Sequence, residues 1–281
     1  VLFACAAAPI LVSAVGLSVL VVEAVGFVVR VDLAAMLREG SWHPFAATPS
    51  FGFGGLLWAS VQIAGGALLI TLPTALAFAL HVEEYADRPH RALWALVAEA
   101  LAALPSIVVA LVLIVGIAPW LDGVTDPRTA ALLLATLGVS VLALPETVRL
   151  LRQGIRAVPE AQRLAAFSLG ATRGEVVRHV VLPALRLRIP AGGVLAIGRA
   201  LGEATLVTLV VAQVVPNGSV GDVAPLALTD GLVRLGLRSA PQGTLADQSL
   251  FALALVLLLL TVGGHLLARR YLRRERSEAG A

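Results

Sequence analysis

Apolar residues run along this chain in long blocks, not in the alternation of a strand or the one-sided stripe of a surface helix. Residues 1–29 are apolar except for Glu23 near the far end, and residues 54–80 contain no charged residue. Residues 92–118 are interrupted only by Glu99 and Pro105, and 129–148, 189–215 and 249–268 complete a set of six. Each block reaches the ~20 residues that a helix rising 1.5 Å per residue needs to cross a bilayer core of ~30 Å. In lipid a spanning backbone must satisfy its own polar groups, so blocks of this length predict helices. The pattern therefore predicts an all-α integral membrane protein, with residues 1–281 forming one polytopic transmembrane domain of six spans. Pro73 is expected to kink the second span, as membrane helices tolerate.

The polar stretches between the blocks differ in length. Residues 30–53 carry Ser41-Trp42-His43-Pro44-Phe45, read as an interfacial anchor because Trp favours that depth. Residues 81–91 form a short charged loop, and 119–128 another with Trp120. Residues 149–188 are a long charged connection; 216–248 are a second, rich in Gly and Pro, with a surface helix expected around Leu226 to Leu237. Glu146 is expected to pair with Arg149, one turn on.

Composition narrows the chemistry. The chain is 58% hydrophobic and 14% charged, with a mean hydropathy of +0.91, far above a soluble domain. There is no Lys, which excludes a G-x-x-x-x-G-K-[ST] phosphate loop, so this chain is not itself that kind of ATPase. The single Cys5 excludes an intrachain disulfide, and the five His are not paired at ligand spacing, so no metal site is expected. No catalytic residue, bound cofactor or nucleic-acid surface is expected; membrane lipid is the partner that hydropathy itself implies.

Charge placement sets the orientation. Of the 21 basic residues, all Arg, fifteen lie in 81–91, 149–188 and the C-terminal tail, five lie in the other connections, and Arg199 lies inside the fifth span. The positive-inside rule puts the Arg-rich side, with both termini, in the cytoplasm. The sequence opens at Val1 and its only Met is Met36, so an initiator is expected to precede it.

Within 149–188 two short helices are legible. Pro159 suits a helix start, Glu160 complements the N-terminal dipole, and the helix runs to Leu169. Gly170 can take the left-handed position beyond its end, and Thr172-Arg173-Gly174-Glu175 matches a capping box that starts a second helix, closed by Leu182 and Pro183. Val176, Val177, Val180 and Val181 share one face of it; Arg173, Arg178 and His179 take the other. An amphipathic helix resting on lipid and one gripped by a protein both satisfy that periodicity.

In the fifth span, Arg199 is ten residues from Ile189, so it lies roughly 15 Å into the membrane. An Arg at that depth costs at least ~2.5 kcal/mol and should face protein or water. Glu203, four residues on, shares its face. The pair reads either as a self-contained ion pair holding helices together or as an anion site on a translocation path, because planar guanidinium donors match an oxyanion. Gly198 and Gly202 form a G-x-x-x-G that allows close helix approach. Glu99, also at membrane depth, reads as a further path residue or as a structural carboxylate.

The order Glu160-Ala161, Gly170, Leu182-Pro183 resembles the EAA-loop signature of ABC-importer permeases, although the third position is Gln162. Ala165, Ala166 and Leu169-Gly170-Ala171-Thr172-Arg173 extend the likeness. The resemblance implies a coupling helix docked on a cytoplasmic ATPase through residues 160–183, among them Glu160, Ala161, Gly170, Thr172, Arg173, Glu175, Leu182 and Pro183. Gly198-Arg199-Ala200-Leu201-Gly202-Glu203 resembles the fifth-span motif of the PstC-type permease of phosphate importers. Trp42-x-Pro44-Phe45, Glu84-Tyr85-Ala86 and Leu104-Pro105-Ser106 point the same way. That family implies a heterodimer with a second, similar permease, two ATP-binding subunits that use ATP and Mg, and an extracytoplasmic phosphate-binding protein, in the inner membrane of a prokaryote. Similar segments occur in sulfate and molybdate permeases. A secondary transporter or channel, with the helix pair on lipid, is the alternative of another class.

Overall fold

The computed structural model describes residues 2–38, 42–45, 49–215, 227–237, 241 and 243–279. Helices account for nearly all of it. The first span is α1 (Leu2–Arg30), followed by α2 (Leu33–Arg38) and a hairpin of β1 (Trp42–His43) and β2 (Ser50–Phe51). The strands pair antiparallel, Trp42 opposite Phe51. That pairing turns Trp42 inward, where it is 2% exposed beside Phe53 and Leu228. Trp42 meets Phe51 edge-on at 6.0 Å, and Phe51 meets Phe27 at 5.2 Å. The stretch expected as an interfacial anchor thus places its Trp in the protein core.

Next come α3 (Gly54–Leu80), α4 (Arg88–Ala102), α5 (Ser106–Val112), α6 (Ala118–Leu121) and α7 (Pro127–Ala157). The helix of α3 continues through one wide turn, His81–Tyr85, where Ala86 N–H bonds to His81 C=O at 3.0 Å. The charged segment 81–91 is therefore mostly helical. Residues 92–118, expected as one span, are broken at Ala103–Pro105 and bend by 94°, because Pro105 lacks an N–H and biases Leu104 away from the helical region. Asp126 caps α7 by accepting the Thr129 N–H at 2.9 Å. With 31 residues α7 is roughly 46 Å long, so it projects beyond the bilayer core and absorbs residues read as loop. Glu146 and Arg149 on it are both exposed and do not pair with each other.

The long connection folds as α8 (Glu160–Ser168), α9 (Arg173–Val176), a wide turn (Val177–Val181) and α10 (Leu182–Ala184). Then follow α11 (Arg188–Gly202), α12 (Thr205–Val214), α13 (Leu228–Gly236) and α14 (Leu245–Ala279). Residues 189–215, expected as one span, are likewise interrupted, at Glu203–Ala204. The helix expected on the surface around Leu226 to Leu237 corresponds to α13, but it is packed into the protein: Leu228, Thr229, Asp230 and Arg234 are buried, and the Leu228 N–H donates to the Ser60 hydroxyl of α3 at 2.9 Å. Residues 216–226 lie outside the described residues.

Four helices are long and apolar enough to cross a membrane, and two bent pairs bring the set to six if each pair crosses once. The core sits on the α3–α7 contact. Small residues of α7, among them Ala131 and Ala135, are buried there with Ile63, Ala64 and Ala67 of α3, and Thr71 donates to Ser140 C=O at 3.2 Å. One apolar cluster joins α3, α5, α7 and α12. Another, with Ala79, Leu151, Ile155, Val181 and Leu185, seats the α8–α10 segment against the ends of α3 and α7. Large apolar side chains elsewhere, such as Val29, Leu69 and Ile10, are 70–80% exposed, as expected of surfaces meant for lipid or another apolar chain.

Candidate functional site

The break between α11 and α12 holds the first group of charges. Glu203 ends α11 in an extended conformation (φ −86°, ψ 99°) and is 6% exposed. Its carboxylate faces Arg199 at 3.5 Å and accepts the Leu206 N–H at 3.4 Å, in the first turn of α12. The carboxylate so serves two positive centres, the guanidinium and a helix N-terminus. Arg199 is different: its side chain is 46% exposed, and Glu203 is its single partner among the described residues. A guanidinium has five N–H donors, so most of Arg199's remain available to an incoming anion. Gly198 faces His265 of α14, whereas a Cβ on Gly202 would meet nothing within 4 Å. Tighter approaches lie at Gly154, where a Cβ would press on Leu185, and at Gly138, where it would lie 2.6 Å from Leu113 and 2.7 Å from Leu206. A lone Gly at either position gave no sign of this.

Glu99 is not gathered with that pair. It is exposed on α4 and lines a crevice of about 270 Å³ between α4 and α7 with Arg149, Arg152 and Arg156.

The second group of charges joins the far ends of α3, α7 and α8. Glu83, 5% exposed, accepts from Arg152 Nε at 2.6 Å and from Arg156 at 3.0 Å. Glu84 accepts from Arg163 of α8 at 3.0 Å. Arg163 also donates to the C=O groups of Ile155 at 2.6 Å and Val158 at 3.1 Å, at the end of α7. Arg91 of α4 donates to the C=O groups of Val82, Glu83 and Ala86. A helix leaves its last carbonyls without intrahelical partners, and these Arg side chains satisfy them. Sequence reading missed these pairings, of which Arg152–Glu83 and Arg163–Glu84 span 69 and 79 residues; the one local signal was the Glu83-Glu84 doublet at the end of an apolar block.

The α8–α9 corner is built as its residues dictate. Gly170 has φ 87°; its N–H bonds to Phe167 C=O at 2.9 Å and that of Ala171 to Ala166 C=O at 3.1 Å, the two bonds of a Schellman end. The capping box is complete: Thr172 Oγ1 accepts from Glu175 N–H, and Glu175 accepts from Thr172 N–H at 2.7 Å. The Thr172 backbone N–H, aided by its hydroxyl, holds the Glu175 carboxyl below the usual carboxylate range. Pro183 does not stop this helix where expected, because the preceding wide turn, closed by Leu182 N–H on Val177 C=O, carries it on to Ala184. Val176 and Val181 are buried, while Glu160, Ala161, Gly170, Thr172, Arg173, Glu175, Arg178, His179 and Pro183 are exposed and Leu182 is half-buried. Among the described residues no group of three His, Cys, Asp or Glu is gathered closely enough to hold a metal ion.

Residues 71–277 match the family described as "Binding-protein-dependent transport system inner membrane component". The phosphate transport system permease protein PstC of Mesorhizobium japonicum is 28% identical over 88% of this chain and 80% of its own length. PstC of Xylella fastidiosa is 28% identical over 83% of this chain and 76% of its own. The probable ABC transporter permease protein YqgH of Bacillus subtilis is 27% identical over 80% of this chain and 73% of its own. Among solved structures, a chain of a bacterial ABC transporter that imports the acidic polysaccharide alginate shares the fold, with a TM-score of 0.56 and 17% identity over 79% of this chain and 80% of that one. The match across most of its length and the bundle of apolar helices together make this chain a member of the binding-protein-dependent transport system inner membrane component family, a multi-pass ABC-importer permease subunit.

Proposed function

We propose that this subunit forms one half of the membrane pathway of an ATP-driven importer of inorganic phosphate. The observation that carries the reading is Arg199: a half-exposed guanidinium at membrane depth, beside a break in the helix, with donors unused by protein. Charge at that depth is costly and discontinuous helices characteristically line transport sites, so the arrangement suits a passing anion. The alignment with PstC proteins over most of the chain supports phosphate as that anion. Glu203 holds Arg199 in place and keeps its grip on the cargo weak enough for release, as a conducting site requires.

The Arg-rich end, with α8 to α10, lies in the cytoplasm on this reading. There the exposed residues from Glu160 to Pro183 meet one of two ATP-binding subunits, which hold the ATP and Mg. A second, similar permease completes the pathway, and an extracytoplasmic phosphate-binding protein delivers the cargo; an alginate transporter of the same fold was solved with its periplasmic protein. Nucleotide-driven closure of the ATPases moves α8 as a rigid body and switches the pathway's exposure.

The test is uptake by the complete complex in proteoliposomes with its binding protein and internal ATP. Labelled phosphate should accumulate, with sulfate and molybdate excluded. Uptake of either of those in place of phosphate would overturn the cargo, and uptake without an ATPase subunit would overturn the importer class.

A further inference from the structure

The charges at the end of α3 form a hub to which three other helices are tied. Glu84 receives α8 through Arg163, and Glu83 receives α7 through Arg152 and Arg156. The backbone turn that closes α3 receives α4 through Arg91. Only Val158 and Pro159 separate α7 from α8, a link too short to let α8 swing freely and too narrow to fix its angle alone. Arg163 supplies that angle, because one guanidinium grips the end of α7 and the carboxylate at the end of α3 together.

The hub also leads somewhere. Beyond it α4 runs to the 94° bend at Ala103–Pro105, α5 packs against α12, and α12 begins where Arg199 and Glu203 stand. We propose that the Arg163–Glu84 pair, with Arg91 on the same turn, is the linkage that carries displacement of α8 into α3 and the broken α4–α5 helix, so that ATP hydrolysis and opening of the pathway stay coupled. This rests on the importer reading above and assigns positioning residues that the coupling-loop signature does not contain.

A small element with two discrete arrangements is needed to transmit motion, and this hub is suited to be one. Its carboxylates sit in a cleft of about 430 Å³ also lined by Glu160, which leaves room for the guanidiniums to exchange acceptors. Partly buried charge-assisted bonds are strong when aligned and poor when displaced, which favours two states over a continuum.

The test is a double-mutant cycle in the complete reconstituted complex, reading ATP hydrolysed per phosphate imported. Glu84→Gln and Arg163→Gln should each raise that ratio about tenfold, within the range of coupling between sites, with the ATPase still bound and active. The double variant should be no worse than either single one, because the pair acts as a unit. Ratios that multiply in the double variant, or a wild-type ratio in Glu84→Gln, overturn the linkage. If Arg163→Gln lowers the yield of complex, Arg163→Lys keeps the charge but gathers its donors on one nitrogen in place of the planar fork; it should give an intermediate ratio, and a wild-type ratio there also overturns the linkage. A wild-type complex that imports phosphate with its ATPase, combined with multiplying ratios, removes the linkage alone. A chain that binds no ATPase removes both readings.

Discussion

Arg199 and Arg163 each face a carboxylate, yet their situations are opposite. Arg199 pairs at 3.5 Å with Glu203, four residues away, and keeps nearly half of its side chain exposed. Arg163 is committed to Glu84 and to two carbonyls of another helix, and is 21% exposed. An exposed guanidinium with unused donors can bind something that arrives; Arg163, whose terminal nitrogens hold three acceptors and whose unpaired Nε is buried, can only hold helices in place. On the roles proposed above, the same residue type serves a transport site at the helix break and a mechanical joint at the end of the bundle, and the exposure of the unpaired donors separates the two.

Variants that exchange these roles should break the comparison, and the largest effect belongs to Arg199. Arg199→Glu should cut labelled-phosphate uptake at least about a hundredfold, a loss of roughly 3 kcal/mol in transition-state terms, while the complex still assembles. Next is the roughly tenfold loss of coupling expected for Glu84→Gln, within the usual range for linked sites. Gly138→Ala probes the scaffold between the two regions. Its Cβ would press on Leu113 and Leu206, so the solubilised chain should lose about 1–3 kcal/mol, seen as a lower unfolding midpoint. Gly202→Ala, with open space around it, should cost less in the same assay.

Smaller effects are expected at the α8–α9 corner. Thr172→Ala removes a cap and should cost about 1 kcal/mol. The Glu175 carboxyl is lowered in the folded chain, so its cap is fully formed above the unfolded value of about 4.3 and is lost as pH falls through the lower folded value. By NMR, Glu175 should therefore titrate below the ordinary glutamate value, and Thr172→Ala should raise its midpoint only part-way, because the backbone N–H remains.

Local rules made much of this molecule legible in advance. The apolar blocks announced the helices, and Gly170 with Thr172 and Glu175 announced the corner, because caps and left-handed turns are decided by residues three or four apart. Arg199 and Glu203 were visible for the same reason. Their helix break was not: no Pro marks it, and Glu203 leaves the helix in order to serve α12 as well as Arg199. The Glu83 and Glu84 pairings were hidden because their partners are set by how α3 meets α7 and α8, a fact of packing and not of spacing. Trp42 was misplaced for a related cause. Aromatic residues near a membrane block read as interfacial, and only the β1–β2 pairing turns this one inward.

The most direct measurement places uptake and hydrolysis side by side in proteoliposomes carrying Arg199→Ala. If Arg199 lines the pathway while the joint at Arg163 stays intact, phosphate-loaded binding protein should still stimulate ATP hydrolysis as in the wild type, and labelled phosphate should no longer accumulate. Phosphate uptake at the wild-type rate in that variant would contradict the assignment of Arg199 to the path.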